Sequence, residues 1–147
     1  MEAAFEDGLR AVDGEAELRA CYPLMRQLRP HLTSAGEFVA RWRRQHDAGY
    51  RLLALWQGDR PVALAGYRVQ ENMIHGRHLY VDDLVTDAEA RSAGHGAVLM
   101  ARLKQEARRL GCDRLALDTP MSNALGQRFY FRQGLLATAL RFLAPVA

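Results

Sequence analysis

One segment constrains this chain more than any other: Val81-Asp82-Asp83-Leu84-Val85-Thr86-Asp87-Ala88-Glu89-Ala90-Arg91-Ser92-Ala93-Gly94-His95-Gly96-Ala97. It reads as the end of a strand, a loop with two glycines, and the start of a helix. The first backbone N–H groups of a helix have no intrahelical acceptor, and the helix dipole adds partial positive charge there. Gly94 and Gly96 remove side chains that would keep a phosphate away from those groups. A diphosphate is therefore a natural ligand of this loop. The helical pattern that follows carries Ala97, Val98, Met100, Ala101, Leu103, Lys104, Ala107 and Leu110, with Gly111 as its C-cap. A short apolar strand at residues 115–117 comes next. Strand, long helix and strand make a βαβ unit, which predicts two parallel strands.

The rest of the chain builds around that unit. Residues 9–12 suit a short first strand. Asp13 offers an N-cap for an amphipathic helix from Glu15 to Leu28, ended by Pro30. Ser34 and Glu37 have capping-box spacing and open a second helix through His46, with Gly49 beyond it. Residues 51–56 and 61–69 are strand-like runs joined by Gln57-Gly58-Asp59-Arg60, a hairpin signal. A third strand at residues 78–86 completes an antiparallel meander. After the βαβ unit come a helix over residues 123–133, closed by Gly134, and a last strand over residues 135–143. The expected architecture is a mixed, mostly antiparallel α/β sheet with helices on both faces, in one domain over residues 1–147.

Composition narrows the function. At 147 residues, 49% hydrophobic and 25% charged, the chain can bury one sizeable core. No apolar run approaches the roughly 18 residues that cross a bilayer. The acidic MEAAFEDGLR start lacks the order of a signal peptide, so a cytoplasmic setting without membrane association is expected. The net charge of +3 raises nucleic acid as a partner. However, the basic residues are interleaved with acidic ones, and the densest cluster, Arg41, Arg43 and Arg44, suits the solvated face of a helix. No nucleic-acid partner is expected. Cys21 and Cys112 form neither a disulfide framework nor a zinc site and read as buried thiols. His75 and His78 lack a third ligand, so no metal is expected.

Other phosphate loops fit poorly. A Rossmann fingerprint would require glycine where Leu99 stands, and the Gly-Lys-Ser/Thr of a P-loop is absent. Arg91-x-x-Gly94-x-Gly96 instead resembles the Arg/Gln-x-x-Gly-x-Gly/Ala loop with which GNAT acetyltransferases hold the pyrophosphate of coenzyme A. Asn123, Gly126, Phe129-Tyr130, Gly134 and Leu135 resemble the later GNAT signature, Asn-x-x-Ala-x-x-Phe-Tyr-x-x-x-Gly-Phe. Gly126 stands for the usual alanine and Leu135 for the usual phenylalanine. The resemblance covers residues 50 to 135 and implies a GNAT fold built on a central βαβ acetyl-CoA-binding unit.

It also implies roles. Acetyl-CoA would be the co-substrate. Its pantetheine arm would lie along Leu84, Val85 and Thr86, where the fourth strand parts from the fifth, and touch Asn123. Its pyrophosphate would rest on the loop Arg91, Ser92, Ala93, Gly94, His95, Gly96 and Ala97, with the His95 side chain turned outward. Tyr130 would approach the thioester sulfur.

The chemistry accounts for these demands. An amine with a pKa of about 10.4 costs about 4.6 kcal/mol to deprotonate at pH 7, and it must be neutral to attack a thioester. Asp82 or Asp83, directly or through water, can accept the proton. Side chains alternate along a strand, so one of the two is expected to face the substrate, and Asp82 is favoured. Tyr130 keeps its proton at pH 7 and can supply it to the departing thiolate. An N–H near Leu84 can stabilise the charge that develops on the carbonyl. With no placed thiol nucleophile, direct transfer in a ternary complex is expected.

Blander readings coexist with these. Tyr130 could be a core aromatic, the aspartates could cap a turn or pair with Arg77, and the fold could serve a non-catalytic acyl-CoA-binding regulatory module. Thr86 and Ala88 replace the family's usual valine and proline. Tyr67, Glu71, Tyr80, Asp82, Asp83 and Asp118 are candidate linings for the acceptor, and so many carboxylates would favour a cationic amine. The short C-terminus after Leu135 suggests a pocket left open or completed by a second subunit in a homodimer.

Overall fold

The structure is a computed structural model that describes residues 8–91 and 93–147. Its contacts divide the chain into two compact units, one ending at Ala116 and one beginning at Leu117.

The first unit opens with β1 (Leu9–Ala11), then α1 (Glu15–Leu28) and α2 (Ala35–Asp47). The meander follows as β2 (Arg51–Gln57), β3 (Arg60–Asn72) and β4 (Gly76–Thr86). A 3-10 turn (Ala88–Ala90) leads into α3 (His95–Arg109) and β5 (Arg114–Leu117). The sheet order is β1-β2-β3-β4-β5, with the first three pairings antiparallel. The connection from β4 to β5 runs through α3, and the sheet is mixed.

Alternation along the strands sorts the core into two layers. Leu52, Ala54 and Leu64 join Leu18, Cys21, Leu24 and Met25 of α1 and Phe38, Val39 and Trp42 of α2. The intervening Leu53, Leu55, Ala63 and Ala65 are equally buried and point to the opposite face. There α3 packs on β3 and β4 with Leu99, Met100, Leu103 and Ala107 at helical spacing. Cys21 and Cys112 are free and buried.

The helix ends follow local chemistry. The Glu37 amide donates to the Ser34 hydroxyl at 3.1 Å, and the Glu37 carboxylate reaches back to the Thr33 amide at 3.2 Å. This capping box closes one residue earlier than its spacing suggests. The N-cap of α1 is Gly14, without a side-chain bond, rather than Asp13. Pro23 lies inside α1 and removes one backbone donor. The helix continues because its apolar stripe is buried on both sides of the proline.

The second unit carries α4 (Ala124–Arg132). The strand expected over residues 135–143 does not form, and the described chain there has no regular structure. Leu136, Leu140, Phe142 and Leu143 are all exposed. Alternating apolar residues become a strand only where a neighbouring edge takes up their backbone groups, and the pattern alone cannot supply that edge.

One glycine is indispensable to the sheet. A Cβ at Gly66 would stand 1.8 Å from the Tyr50 hydroxyl and 2.4 Å from its Cζ, because the phenol ring lies across β3 at this point. Gly66→Ala should lower the unfolding free energy by about 2 kcal/mol through overpacking. The expected observation is a lower urea midpoint at constant m; an unchanged midpoint would contradict the packing described.

Candidate functional site

The register of β3 against β4 shifts between Gly66 and Tyr67. Gly66 pairs with Asp83 and Tyr67 pairs with Val81, which leaves Asp82 as the extra residue of a β-bulge. The bulge breaks the alternation expected from the sequence. Asp83, opposite Gly66, faces the α1–α2 side of the sheet. Asp82 also reaches that side, where Arg68 holds it with two bonds, Nε to Oδ2 at 2.9 Å and Nη2 to Oδ1 at 2.6 Å. Both carboxylates thus share one face, and neither pairs with Arg77, which donates instead to the Leu110 carbonyl.

Asp83 is gripped from above. Arg29 donates from Nε to its Oδ1 at 2.9 Å, and the Tyr50 hydroxyl donates to its Oδ2 at 2.7 Å. The Nη2 of the same arginine donates to the Asp82 carbonyl at 2.8 Å, filling a bond the bulge takes from the ladder. Burial raises the Tyr50 phenol well above its ordinary range, and the Asp83 charge adds to the effect, so Tyr50 serves as a donor.

These groups border a cavity of about 310 Å³ between α1, α2 and β4. Asp82 and Asp83 line it together with the aromatic Phe38, Trp42 and Tyr50; Arg29, His31 and Arg41 also border it. The size suits a small ligand. Tyr67 and Glu71 do not border it: Tyr67 is turned to the opposite face, where its hydroxyl donates to Glu106 at 3.3 Å.

Beyond the bulge, β4 leads into the glycine loop. Leu84, Val85 and Thr86 pair with Ala65, Leu64 and Ala63. A strand's backbone groups alternate between its two sides, so half of those in this stretch face away from β3. Arg91, Ala93 and Gly94 are exposed, and Gly96 and Ala97 are half-buried. Ser92 lies outside the described residues. Gly94 caps α3 in a left-handed conformation, φ 82°, which L side chains adopt at a cost. The first intrahelical bond runs from the Val98 amide to the Gly94 carbonyl at 3.2 Å. The amides of Gly94, His95, Gly96 and Ala97 therefore precede the helical ladder and suit an anion. The His95 side chain is buried and not turned outward as expected; it sits on the stripe that α3 packs against the sheet.

Asp87 anchors the loop. Its carboxylate accepts from Arg60, from the Glu89 amide at 3.1 Å and from Gln27 at 3.3 Å. Gln27 in turn accepts from the Ala88 amide at 3.0 Å. These bonds, with that to Arg60 foremost, hold the Asp87 carboxyl below its ordinary range.

In the second unit, Asn123 caps α4. Its Oδ1 accepts from the Gly126 amide at 3.1 Å, and its Nδ2 donates to Thr119 at 2.9 Å. The Tyr130 phenol is raised above its ordinary range by burial. Among the described residues, no three His, Cys, Asp or Glu side chains are grouped as a metal site, and no helix is long and apolar enough to cross a membrane. Sequence reasoning missed Arg29, Tyr50 and Arg68. A lone glycine within a strand, here Gly66, was the available signal for the bulge they serve.

A group held in its charged form below its ordinary pKa stabilises the fold above that ordinary value and loses the contribution as pH falls through the lowered one. Asp87 should therefore contribute fully at neutral pH and lose its contribution only below pH about 4. Asp87→Asn should lower the melting temperature at pH 7 and flatten its fall in acid. A variant that melts like the parent at pH 7 would contradict this anchoring role.

Residues 15–135 match the family model described as the acetyltransferase (GNAT) family. The uncharacterized N-acetyltransferase YhdJ of Bacillus subtilis (strain 168) is 27% identical over 139 residues, covering 94% of this chain and 98% of that protein. Among solved structures, the aminoglycoside N-acetyltransferase AAC(6')-Iy in complex with CoA has a TM-score of 0.83 at 16% identity, covering 94% of this chain and 93% of that one. An acetyltransferase of Trypanosoma brucei has a TM-score of 0.74 at 24% identity, covering 94% and 98%. The glucosamine-6-phosphate N-acetyltransferase of Arabidopsis thaliana has a TM-score of 0.74 at 18% identity, covering 95% and 97%. With its glycine-capped helix, its mixed sheet and a family match over most of its length, the chain belongs to the acetyltransferase (GNAT) family.

Proposed function

We propose that the protein transfers the acetyl group of acetyl-CoA to a primary amine by direct attack in a ternary complex. The observation that carries this reading is the bulge in β4. It turns two carboxylates into one cavity, on the strand that runs directly into a glycine-capped helix start.

In this reading the amides from Ser92 to Ala97 bind the pyrophosphate, with Arg91 at the entry. Backbone groups of Leu84, Val85 and Thr86 that face away from β3 bind the pantetheine arm, and Asn123 contacts it. The neutral amine nitrogen bonds to the thioester carbonyl carbon, and the Leu84 amide receives the charge on oxygen. As the carbon–sulfur bond breaks, Tyr130 donates its proton to the sulfur, while Asp82 or Asp83, directly or through water, takes the proton lost by nitrogen. The products are an N-acetylated amine and the free thiol of coenzyme A, with one net proton released to solvent when the acceptor starts as an ammonium. Tyr130 carries its proton at neutral pH, as a donor must, and its burial keeps it so.

We also propose that two copies associate through residues 135–143. Leu136, Leu140 and Phe142 would share one side of a strand formed on pairing, by period-two spacing, and are exposed in the single chain.

Tyr130→Phe should cut kcat by about a hundredfold with coenzyme A affinity intact, followed by thiol release and calorimetry. Asp82→Asn should do the same and Asp83→Asn less, which identifies the base. Full turnover by all three variants would remove these residues from the chemistry, and a parent that binds coenzyme A without releasing thiol would be a binding module. For the association, sedimentation at micromolar concentration should give a dimer that Leu140→Asp dissociates; a monomeric parent would refute it.

A further inference from the structure

The cavity above β4 has an unequal supply of donors and acceptors. Its two carboxylates are both engaged: Asp82 by Arg68, and Asp83 by Arg29 and Tyr50. Neither therefore offers an uncompensated negative charge to a second cationic centre, as an acidic, polycation-binding site would. The donors are less committed. Arg29 spends Nε and Nη2 on Asp83 and on the Asp82 carbonyl, and neither bond uses Nη1. Among the described residues Arg41 has one ionic partner, Glu37 at 3.4 Å, and its side chain is 45% exposed. His31 lies on the same border, and the buried indole N–H of Trp42 has no acceptor among the described residues. The apolar Met25, Leu32 and Phe38 line the same cavity. A molecule with its amine at Asp82 and Asp83 would share the cavity with Arg41 and His31.

Building on the acetyltransferase reading, we propose that the acceptor is an anionic amine: a primary amine whose molecule also carries a carboxylate or phosphate, held by Arg41 and His31. The amine nitrogen gains the acetyl carbon as the carbon–sulfur bond breaks, and the anionic group takes no part in the bond changes. Arg41 is the specificity residue because its guanidinium has the fork geometry and the exposure to meet an incoming oxyanion. A polycation would bring a second positive charge to this same border.

The test uses matched amines with acetyl-CoA, following thiol release. Phenylalanine against phenethylamine isolates a carboxylate, phosphoethanolamine against ethanolamine isolates a phosphate, and spermidine represents polycations. At least one anionic member should exceed its neutral match in kcat/KM by about tenfold or more, as a charged hydrogen bond provides. The arm that does so names the anion. Arg41→Gln should bring that ratio close to unity mainly through KM, and calorimetry on the protein saturated with coenzyme A should detect binding of the anionic amine to the parent and weaker binding to the variant. Spermidine as the best acceptor, neutral amines equal to anionic ones, or a ratio unmoved by Arg41→Gln would overturn the proposal. Acetyl-CoA binding with no amine bound or consumed would overturn this substrate class and leave the co-substrate reading standing. Absence of acetyl-CoA binding would remove both.

Discussion

The guanidinium of Arg29 holds the site together. It bonds to the Asp83 carboxylate and to the Asp82 carbonyl at once. A bulge sacrifices ladder bonds, and a carbonyl turned out of the ladder needs another donor if it is not to be left unsatisfied. Arg29 supplies that donor from the C-cap of α1, and Tyr50 adds a second hold on Asp83 across the bare backbone of Gly66. Three segments distant in sequence therefore meet at one irregularity. Their meeting converts two successive strand residues, which alternation would send to opposite faces, into a pair on one face. Partly exposed ion pairs contribute little to stability. The consequence of Arg29 is geometric: it determines which side of the sheet the carboxylates address.

Regular structure was the most legible part of the sequence. The helix carrying Met100, Leu103 and Ala107, the hairpin at Gly58-Asp59 and the cap at Ser34 each rest on local spacing, and each stands as read. The glycine loop was legible for the same reason, since Gly94 and the helix behind it are neighbours in sequence. The bulge is different. It arises from a long-range conjunction of Arg29, Tyr50, Gly66 and Asp83, and no periodicity within β4 announces it. The same limit explains the acidic acceptor surface expected from composition. Asp82 and Asp83 were counted as bare charges because their partners, Arg68 and Arg29, lie 14 and 54 residues away. His95 was assigned by its membership of a polar loop, whereas its position at the head of the α3 stripe decided its burial.

The C-terminal segment marks another boundary of local reasoning. Residues 135–143 have strand composition and strand alternation, yet form no strand in the single chain. An amphipathic helix satisfies its own backbone and needs only a surface to bury its stripe. A strand needs a partner for every second N–H and carbonyl as well. Period-two alternation is therefore a conditional signal, and the condition here is the presence of another edge.

Ion pairing of both carboxylates bears on what a base in this site must do. A carboxylate titrates near 4 and a simple ammonium near 10, so no aspartate can hold a proton taken from a ground-state ammonium. Deprotonation of the free amine is governed by bulk pH. What the site can supply is a proton acceptor at the moment the carbon–nitrogen bond forms, when the nitrogen becomes positively charged and far more acidic. That task demands position and a path to water more than basicity. Asp82, oriented by two bonds from Arg68 with its side chain 20% exposed, meets both demands. Asp83, held by Arg29 and Tyr50 and 14% exposed, is the more enclosed of the two. Its bonds to Arg29 and Tyr50 suit it to fixing the bulge, and in the proposed reaction the two adjacent, equally charged residues would serve different ends.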